Sequence, residues 1–274
     1  MLNAAFMQGY IPDSWNVNLT TPIYKRGDAS DPANYRPIAV GAPIMRLMAV
    51  IINRRVMDFT ETQGLRSPIQ AGFRPQMSCG HQLLALQHFI DQEVQHHKGH
   101  LYCCFVDLKG AYDNVPRDLL WQTLAGLGMS GKMLECIKSM YANSGLAIKI
   151  GGKMGELHTS RLGVKQGCPL SPTLFGLYMD ALYGHLLHTV PGVGPRLSTG
   201  QYVPVLMYAD DIVLMATTCQ DLQRLIDATY QLCGWKKMTV SPEKTAVVVF
   251  KRPRAKVQPF TWTCGDNPLP QRDG

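Results

Sequence analysis

The chain has 274 residues, 46% of them hydrophobic and 17% charged, the balance of a globular protein with a packed core, which excludes a disordered or collagen-like chain. A formal net charge of +7 suits a phosphate-rich partner, and also a mildly basic protein with no such partner. None of the eight cysteines forms a C-x-x-C pair, His100-x-x-Cys103 has no second zinc half-site, no apolar run reaches the length of a membrane span and the first residues make no signal peptide, so a reducing, intracellular setting with no membrane contact is expected.

Residues 17–24 read as a strand, followed by the turn Lys25-Arg26-Gly27-Asp28 and punctuated by Asp31-Pro32 and Arg36-Pro37. Ile44, Leu47, Met48, Ile51, Ile52, Val56 and Phe59 recur at helical spacing, with Arg46, Arg54 and Arg55 off that stripe. A loop over residues 64–75 precedes a helix that starts near Ser78 and carries Leu83, Leu86, Ile90 and Val94 inward. His81, His88, His96, His97 and His100 around it read as solvated surface, since adjacent His96 and His97 point to different sides of a helix.

Residues 101–106 form an apolar strand that ends in Asp107. Pro116 suits a first helical turn, and the helix it opens carries Leu119, Leu120 and Leu124. A second helix covers residues 130–141, and the runs 146–150 and 153–157 flank Gly151-Gly152, a hairpin signal. Ser171-Pro172 caps a helix with Leu174, Phe175, Tyr178, Leu182 and Leu186 on its apolar face. Tyr208-Ala209-Asp210-Asp211 lies between the apolar runs 203–207 and 212–216, a hairpin with carboxylates at its tip. Thr218-x-x-Asp221 resembles a capping box, residues 246–250 are a last strand, and Lys251-Arg252-Pro253-Arg254 starts a basic, loop-like tail. This order predicts an α+β layer, with strands carrying the acids and helices packed on one side, and not a βαβα chain with a Walker A loop.

The chemistry concentrates on the acids. Adjacent aspartates repel one another and lose water, a cost that a cation offsets, and Mg²⁺ takes oxygen ligands while leaving positions for substrate phosphates. An ordinary polar hairpin tip is the alternative for the tetrapeptide alone. Asp107, at the end of a buried strand, adds a second acidic site, and the two suit a pair of cations about 3.5–4 Å apart that clamps an in-line phosphoryl transfer.

Five blocks in order resemble the fingers-and-palm part of a reverse transcriptase, of the non-LTR (LINE-type) retrotransposon kind. They are residues 22–28 with Asn34-Tyr35-Arg36-Pro37-Ile38; Gln70-Ala71-Gly72-Phe73-Arg74; residues 105–116; residues 163–172; and residues 208–211. Ser241-Pro242-Glu243-Lys244-Thr245 is a weaker sixth. The resemblance implies a right-hand polymerase fold with an antiparallel palm sheet packed on helices: fingers in residues 1–100 with parts of 140–170, palm in 101–250, and in 251–274 the start of a tail toward the primer grip. It implies an RNA-directed DNA polymerase that adds dNTPs to a primer 3′-hydroxyl, with an RNA template and a DNA primer or target as partners and a nuclear or cytoplasmic location.

The same resemblance assigns roles. Asp107, Asp210 and Asp211 would hold two Mg²⁺ ions, with Mn²⁺ as the alternative, Asp211 being the looser ligand. Tyr112 would lie under the incoming sugar and exclude a 2′-hydroxyl, which speaks against an RNA-dependent RNA polymerase, the competing enzyme with the same palm chemistry. Lys25 and Arg36 would grip the triphosphate, Gln166 and Gly167 would form a loop near the nucleotide, and Lys244 would give a proton to the pyrophosphate. Phe73 and Arg74 would help the fingers meet the template, with core packing as the alternative for Phe73. Where the family has Gly and Asn, Lys237 and Ser241 stand here. Family members continue into a helical thumb; the chain ends at Gly274, so a fragment without a thumb that holds primer–template poorly is expected, with a non-catalytic nucleic-acid-binding relic as the alternative function.

Overall fold

The computed structural model describes residues 1–142, 145–150 and 152–273. Its strands, in chain order, are β1 (Val17–Tyr24), β2 (Tyr35–Gly41), β3 (Leu101–Val106), β4 (Gly145–Ile150), β5 (Lys153–Thr159), β6 (Val205–Tyr208), β7 (Asp211–Ala216), β8 (Ala246–Phe250), β9 (Trp262–Cys264), β10 (Asn267–Leu269) and β11 (Gln271–Asp273). The helices are α1 (Leu2–Gln8), α2 (Pro43–Thr62), α3 (Cys79–Ile90), α4 (Arg117–Gly126), α5 (Gly131–Tyr141), α6 (Ser171–Met179), α7 (Ala181–Thr189) and α8 (Cys219–Trp235). The chain divides into two compact units, one of residues 1–65 and 112–178, the other of 66–111 and 179–274. No helix among the described residues is long and apolar enough to cross a membrane.

In the first unit the strands run β2-β1-β4-β5. β1 pairs antiparallel with β2, from Asn18↔Gly41 to Tyr24↔Tyr35, and parallel with β4, while β4 and β5 make an antiparallel hairpin. Gly152 takes a left-handed backbone at its turn, and Gly151, the other half of the expected glycine pair, lies outside the described residues. The helix over 43–62 is present, but the buried stripe is Met45, Met48, Ala49, Ile52 and Val56; Leu47 and Phe59, expected inward, are exposed. Both stripes keep helical spacing, and periodicity alone does not choose between neighbouring faces of an apolar-rich helix.

The loop around Lys165 is pinned from below. Its ammonium donates to Asn16 Oδ1 at 2.7 Å and to the Met140 carbonyl at 2.8 Å, and burial pushes its pKa down to about 8. Arg117 fixes the same region by donating to the carbonyls of Tyr141, Ser160, Leu162 and Gly163. Tyr141, fully buried, shares a 2.9 Å hydrogen bond with Ser171.

In the second unit β3 is the middle of a five-stranded sheet ordered β11-β8-β3-β7-β6. β3 pairs antiparallel with both β7 and β8, and β6 with β7. The sheet is not wholly antiparallel, because β11 lies parallel to β8. Its apolar strands bury Cys103, Leu206 and Met215 with Phe89 of α3, while α8 packs on β3 and β7. The N-cap is present: Thr218 Oγ1 accepts from the Asp221 N–H at 3.1 Å, and Leu222, Leu225, Ile226 and Leu232 are buried.

Three expectations change here. Leu83 is 62% exposed, and Phe89 takes the inward place on α3. The helix that starts at Ser171 stops at Met179, where Asp180 turns to a buried ion pair with Arg66, 2.6 Å apart, and Leu182 and Leu186 belong to α7. The loop-like tail is overturned from residue 262 onward: β9 and β10 form a hairpin, β11 extends the sheet, and Trp262 is buried against Tyr102. These strands are three residues long, too short to show an alternating pattern.

Candidate active site

β3 delivers Asp107 and the β6–β7 hairpin delivers the other two acids. Val106 lies opposite Ile212 in the ladder, so the next step of that register sets Asp107 across from Asp211. Thr245 Oγ1 accepts from the Asp107 N–H at 3.2 Å, and the Asp107 carbonyl accepts from Ser241 N–H at 2.8 Å, which ties the strand end to the segment before β8. Ser241, where the family has Asn, is buried and keeps that backbone bond.

The carboxylate of Asp107 is half-exposed, yet its Oδ2 is shielded from solvent and accepts no hydrogen bond. The Lys244 ammonium stands 3.8 Å from that atom, so a cation already faces it. Beside it Lys109 pairs with Glu243 at 3.3 Å. Asp107, Asp211, Tyr208 and Lys244 line one cleft of about 350 Å³. Among the described residues no three His, Cys, Asp or Glu side chains converge closely enough to form a finished metal cluster. The donors are nonetheless all hard carboxylate oxygens, and one of them is shielded without a hydrogen bond, which fits a hard divalent cation that gathers its ligands on binding. The histidines expected at the surface make local bonds: His81 Nδ1 accepts from the Ser78 N–H at the start of α3, and His97 lies 3.0 Å from Glu93.

The hairpin tip is a two-residue turn, Ala209-Asp210, closed by the Tyr208↔Asp211 pair. Ala209 has φ +58°, a left-handed backbone that costs an alanine roughly 1–2 kcal/mol. Something must hold it there, and sequence reasoning missed what does. Gln70, fully buried, accepts from Ala209 N–H at 2.8 Å and donates to the Ala209 carbonyl at 3.2 Å. Ala71 N–H donates to the Met207 carbonyl at 2.9 Å, and Gln82 donates to the same carbonyl at 3.2 Å. Gly72 packs so closely that a Cβ there would lie 2.2 Å from the Ala209 nitrogen. The signal was present in the Gln70-Ala71-Gly72 block, where a glycine follows a glutamine by two. Arg74 Nη1 donates to the carbonyls of Ser67 and Gln70, and Phe73 is exposed.

In the first unit the structure places the other expected residues individually. Tyr112 is half-buried, its ring stacked on Phe175 with centroids 4.7 Å apart. Gln166 donates to both carboxylate oxygens of Asp113, at 2.7 and 2.9 Å. Gly167 has φ +101°, and a Cβ on it would lie 2.6 Å from the Ala39 carbonyl oxygen, so backbone packing requires a glycine there. Lys25 and Arg36 are exposed; Ile23 pairs with Arg36 in β1–β2, and Lys25 N–H donates to the Asn34 carbonyl.

A family described as "Reverse transcriptase (RNA-dependent DNA polymerase)" matches residues 23–264. The chain belongs to the reverse transcriptase family. Members of this family use divalent metal ions. The chain is 28% identical over 261 residues to the Pol polyprotein of the type-2 retrotransposable element R2DM of Drosophila melanogaster, covering 93% of this chain and 24% of that protein. It is 30% identical over 210 residues to the polyprotein of a type-1 element R2 of Popillia japonica, covering 76% and 29%. The polymerase of the mobile element jockey of Drosophila funebris is 26% identical over 257 residues, 91% of this chain and 27% of that one. The chain thus spans about a quarter of the length of these relatives. Among solved structures, telomerase from Candida tropicalis in complex with the TWJ fragment of telomeric RNA aligns with a TM-score of 0.64 at 14% identity, over 95% of this chain and 46% of that one. That likeness, with the mixed sheets packed on helices, bears out the α+β right-hand polymerase fold.

Proposed function

We propose that this reverse transcriptase domain is an RNA-directed DNA polymerase of a retrotransposable element, adding dNTPs to a primer 3′-hydroxyl on an RNA template. The observation that carries this is the register that sets Asp107 opposite Asp211 beside the Asp210 turn, with a shielded Asp107 oxygen facing a cation. Asp107, Asp210 and Asp211 would hold two Mg²⁺ ions, or Mn²⁺ in their place. When bound, such ions supply an activated primer hydroxyl and charge neutralisation at the leaving pyrophosphate.

The remaining roles fall to the chain's own groups. Asp107 and Asp210 orient the reacting oxygens, and Asp211 adds negative field at the end of β7. Lys244 sits on an exposed segment with its ammonium near Asp107, where it gives a proton to the departing pyrophosphate. In the first unit Tyr112 excludes a 2′-hydroxyl, Lys25 and Arg36 contact the phosphates, and Gln166 and Gly167 form a nucleotide-side loop. Residues 1–100 with parts of 140–170 serve as the fingers and residues 101–250 as the palm. Eight unpaired cysteines suit work inside the cell, in nucleus or cytoplasm.

The test is single-nucleotide extension of a DNA primer on an RNA template with Mg²⁺ and dNTPs. Extension is expected from the wild type and lost in Asp210→Ala, with RNA binding kept in both. Extension that persists in Asp210→Ala would sink the assignment.

A further inference from the structure

The strained turn that carries the acids is held by a residue outside the metal centre. Three observations bear on what that residue does. Ala209 adopts φ +58° at the first position of a two-residue hairpin turn, a place that ordinarily takes glycine. Gln70 is 0% exposed, and each end of its amide has a backbone partner: Oε1 accepts from the N–H groups of Ala209 and Gly72, and Nε2 donates to the Ala209 carbonyl. Both peptide groups of the turn residue are therefore read by one side chain. Gly72 closes the space behind, with no room for a Cβ against the Ala209 backbone.

We propose that Gln70 is a positioning residue for the metal-holding turn: its buried amide clamps Ala209 in the left-handed conformation and so fixes where Asp210 and Asp211 project. The proposal rests on the reading that these aspartates hold the metal ions. Only an amide of this length does the task, since the turn needs an acceptor for its N–H and a donor for its C=O about one amide apart. A methionine of similar size fills the volume and supplies neither. Without the clamp the turn is free to leave φ > 0, and the carboxylates no longer start from the orientation the ions require.

The distinguishing test uses Mn²⁺ binding, followed by loss of the free Mn²⁺ electron paramagnetic resonance signal, on the full 274-residue chain. Gln70→Met is expected to weaken Mn²⁺ binding about tenfold, the order of one or two hydrogen bonds. Adding Ala209→Gly to that variant is expected to restore affinity to within about threefold of wild type, because glycine holds φ > 0 without a clamp. A residue that merely packed the core would not be rescued in this way. Asp210→Asn is the control. Wild-type Mn²⁺ affinity in Asp210→Asn overturns the metal reading of the turn. Weakened binding in Asp210→Asn with wild-type binding in Gln70→Met, or no rescue by Ala209→Gly, overturns the clamp alone. Amide hydrogen exchange of the wild type gives an answer even if Gln70→Met fails to fold: Ala209 and Gly72 amides are expected to exchange slowly despite lying in turns, and exchange as fast as an open loop refutes the clamp.

Discussion

The Arg66–Asp180 pair ends α6 and begins α7, and its replacement is a quantitative test of how the second unit is built. The side chains are 2% and 8% exposed, with Nε 2.6 Å from Oδ2. Arg66 Nη2 and Asp180 Oδ1 are buried without hydrogen bonds, so the pair is incompletely satisfied. Burial pushes the Asp180 carboxyl above the usual carboxylate range, and the Arg66 guanidinium offsets this only in part. Attraction therefore does not fully repay the desolvation of the carboxylate. Asp180→Asn leaves a guanidinium buried without its counter-charge, and about 3–5 kcal/mol of stability should be lost. At about 2–4 °C per kcal/mol for a chain of this size, the melting temperature should fall by roughly 10 °C. The double variant Arg66→Met/Asp180→Leu removes both charges and fills similar volume, and should return to within about 1 kcal/mol of wild type. Urea unfolding of the wild type, Arg66→Met, Asp180→Leu and the double variant closes the cycle, with Asp180→Asn measured beside them. If Asp180→Asn costs under about 1 kcal/mol, or if the double variant merely sums the single losses, the reasoning fails.

Three further outcomes are expected. Tyr112→Ala should raise the ratio of rNTP to dNTP incorporation efficiency by at least about tenfold, measured by single-nucleotide kinetics; an unmoved ratio removes Tyr112 from sugar selection. Gly167→Ala should cost about 1–3 kcal/mol in urea unfolding whether or not nucleotide is present, since the added Cβ meets the Ala39 carbonyl; a neutral effect contradicts that contact. Alkaline pH should destabilise the fold. Burial raises the thiols of Cys136 and Cys264 to about 11, that of Cys233 to about 12, and those of Cys103 and Cys104 further. Their stabilisation is complete below the ordinary value of 9.0 and falls as pH rises beyond it, by about 1.4 kcal/mol per pH unit for each thiol. Two lysines oppose this: Lys165, lowered by burial to about 8, sheds its penalty between 8 and its ordinary 10.5, and Lys236, also lowered by burial, acts in the same direction. Urea midpoints under reductant should drop between pH 9 and 10; a level profile contradicts the burial of the thiols.

Much of the site was legible because its chemistry is local. An apolar run ending in Asp107 and a hairpin with Asp210 and Asp211 at its tip are short-range patterns, and β3, β6 and β7 follow them. The cap at Thr218 marked a helix start for the same reason. Pairing partners were not legible: that β3 lies between β7 and β8, and that β11 adds a parallel edge, depends on residues far apart in sequence. Leu83 and Leu47 misled because an apolar residue at helical spacing need not be buried. Gln70 and Arg74 were opaque for a related reason. A polar residue in a loop block carries no local sign of its partner, and only the folded chain shows the Gln70 amide and the Arg74 guanidinium bonded to backbone.

The most direct test of the central account is iron-directed cleavage of the chain. Fe²⁺ with ascorbate and peroxide cuts the backbone wherever the ion resides. Cuts are predicted near Asp107 and within residues 208–211, disappearing with excess Mg²⁺ and in Asp210→Asn. Cuts confined to the histidines at 96–100, or a pattern that Mg²⁺ leaves unchanged, would contradict a metal centre built on Asp107, Asp210 and Asp211.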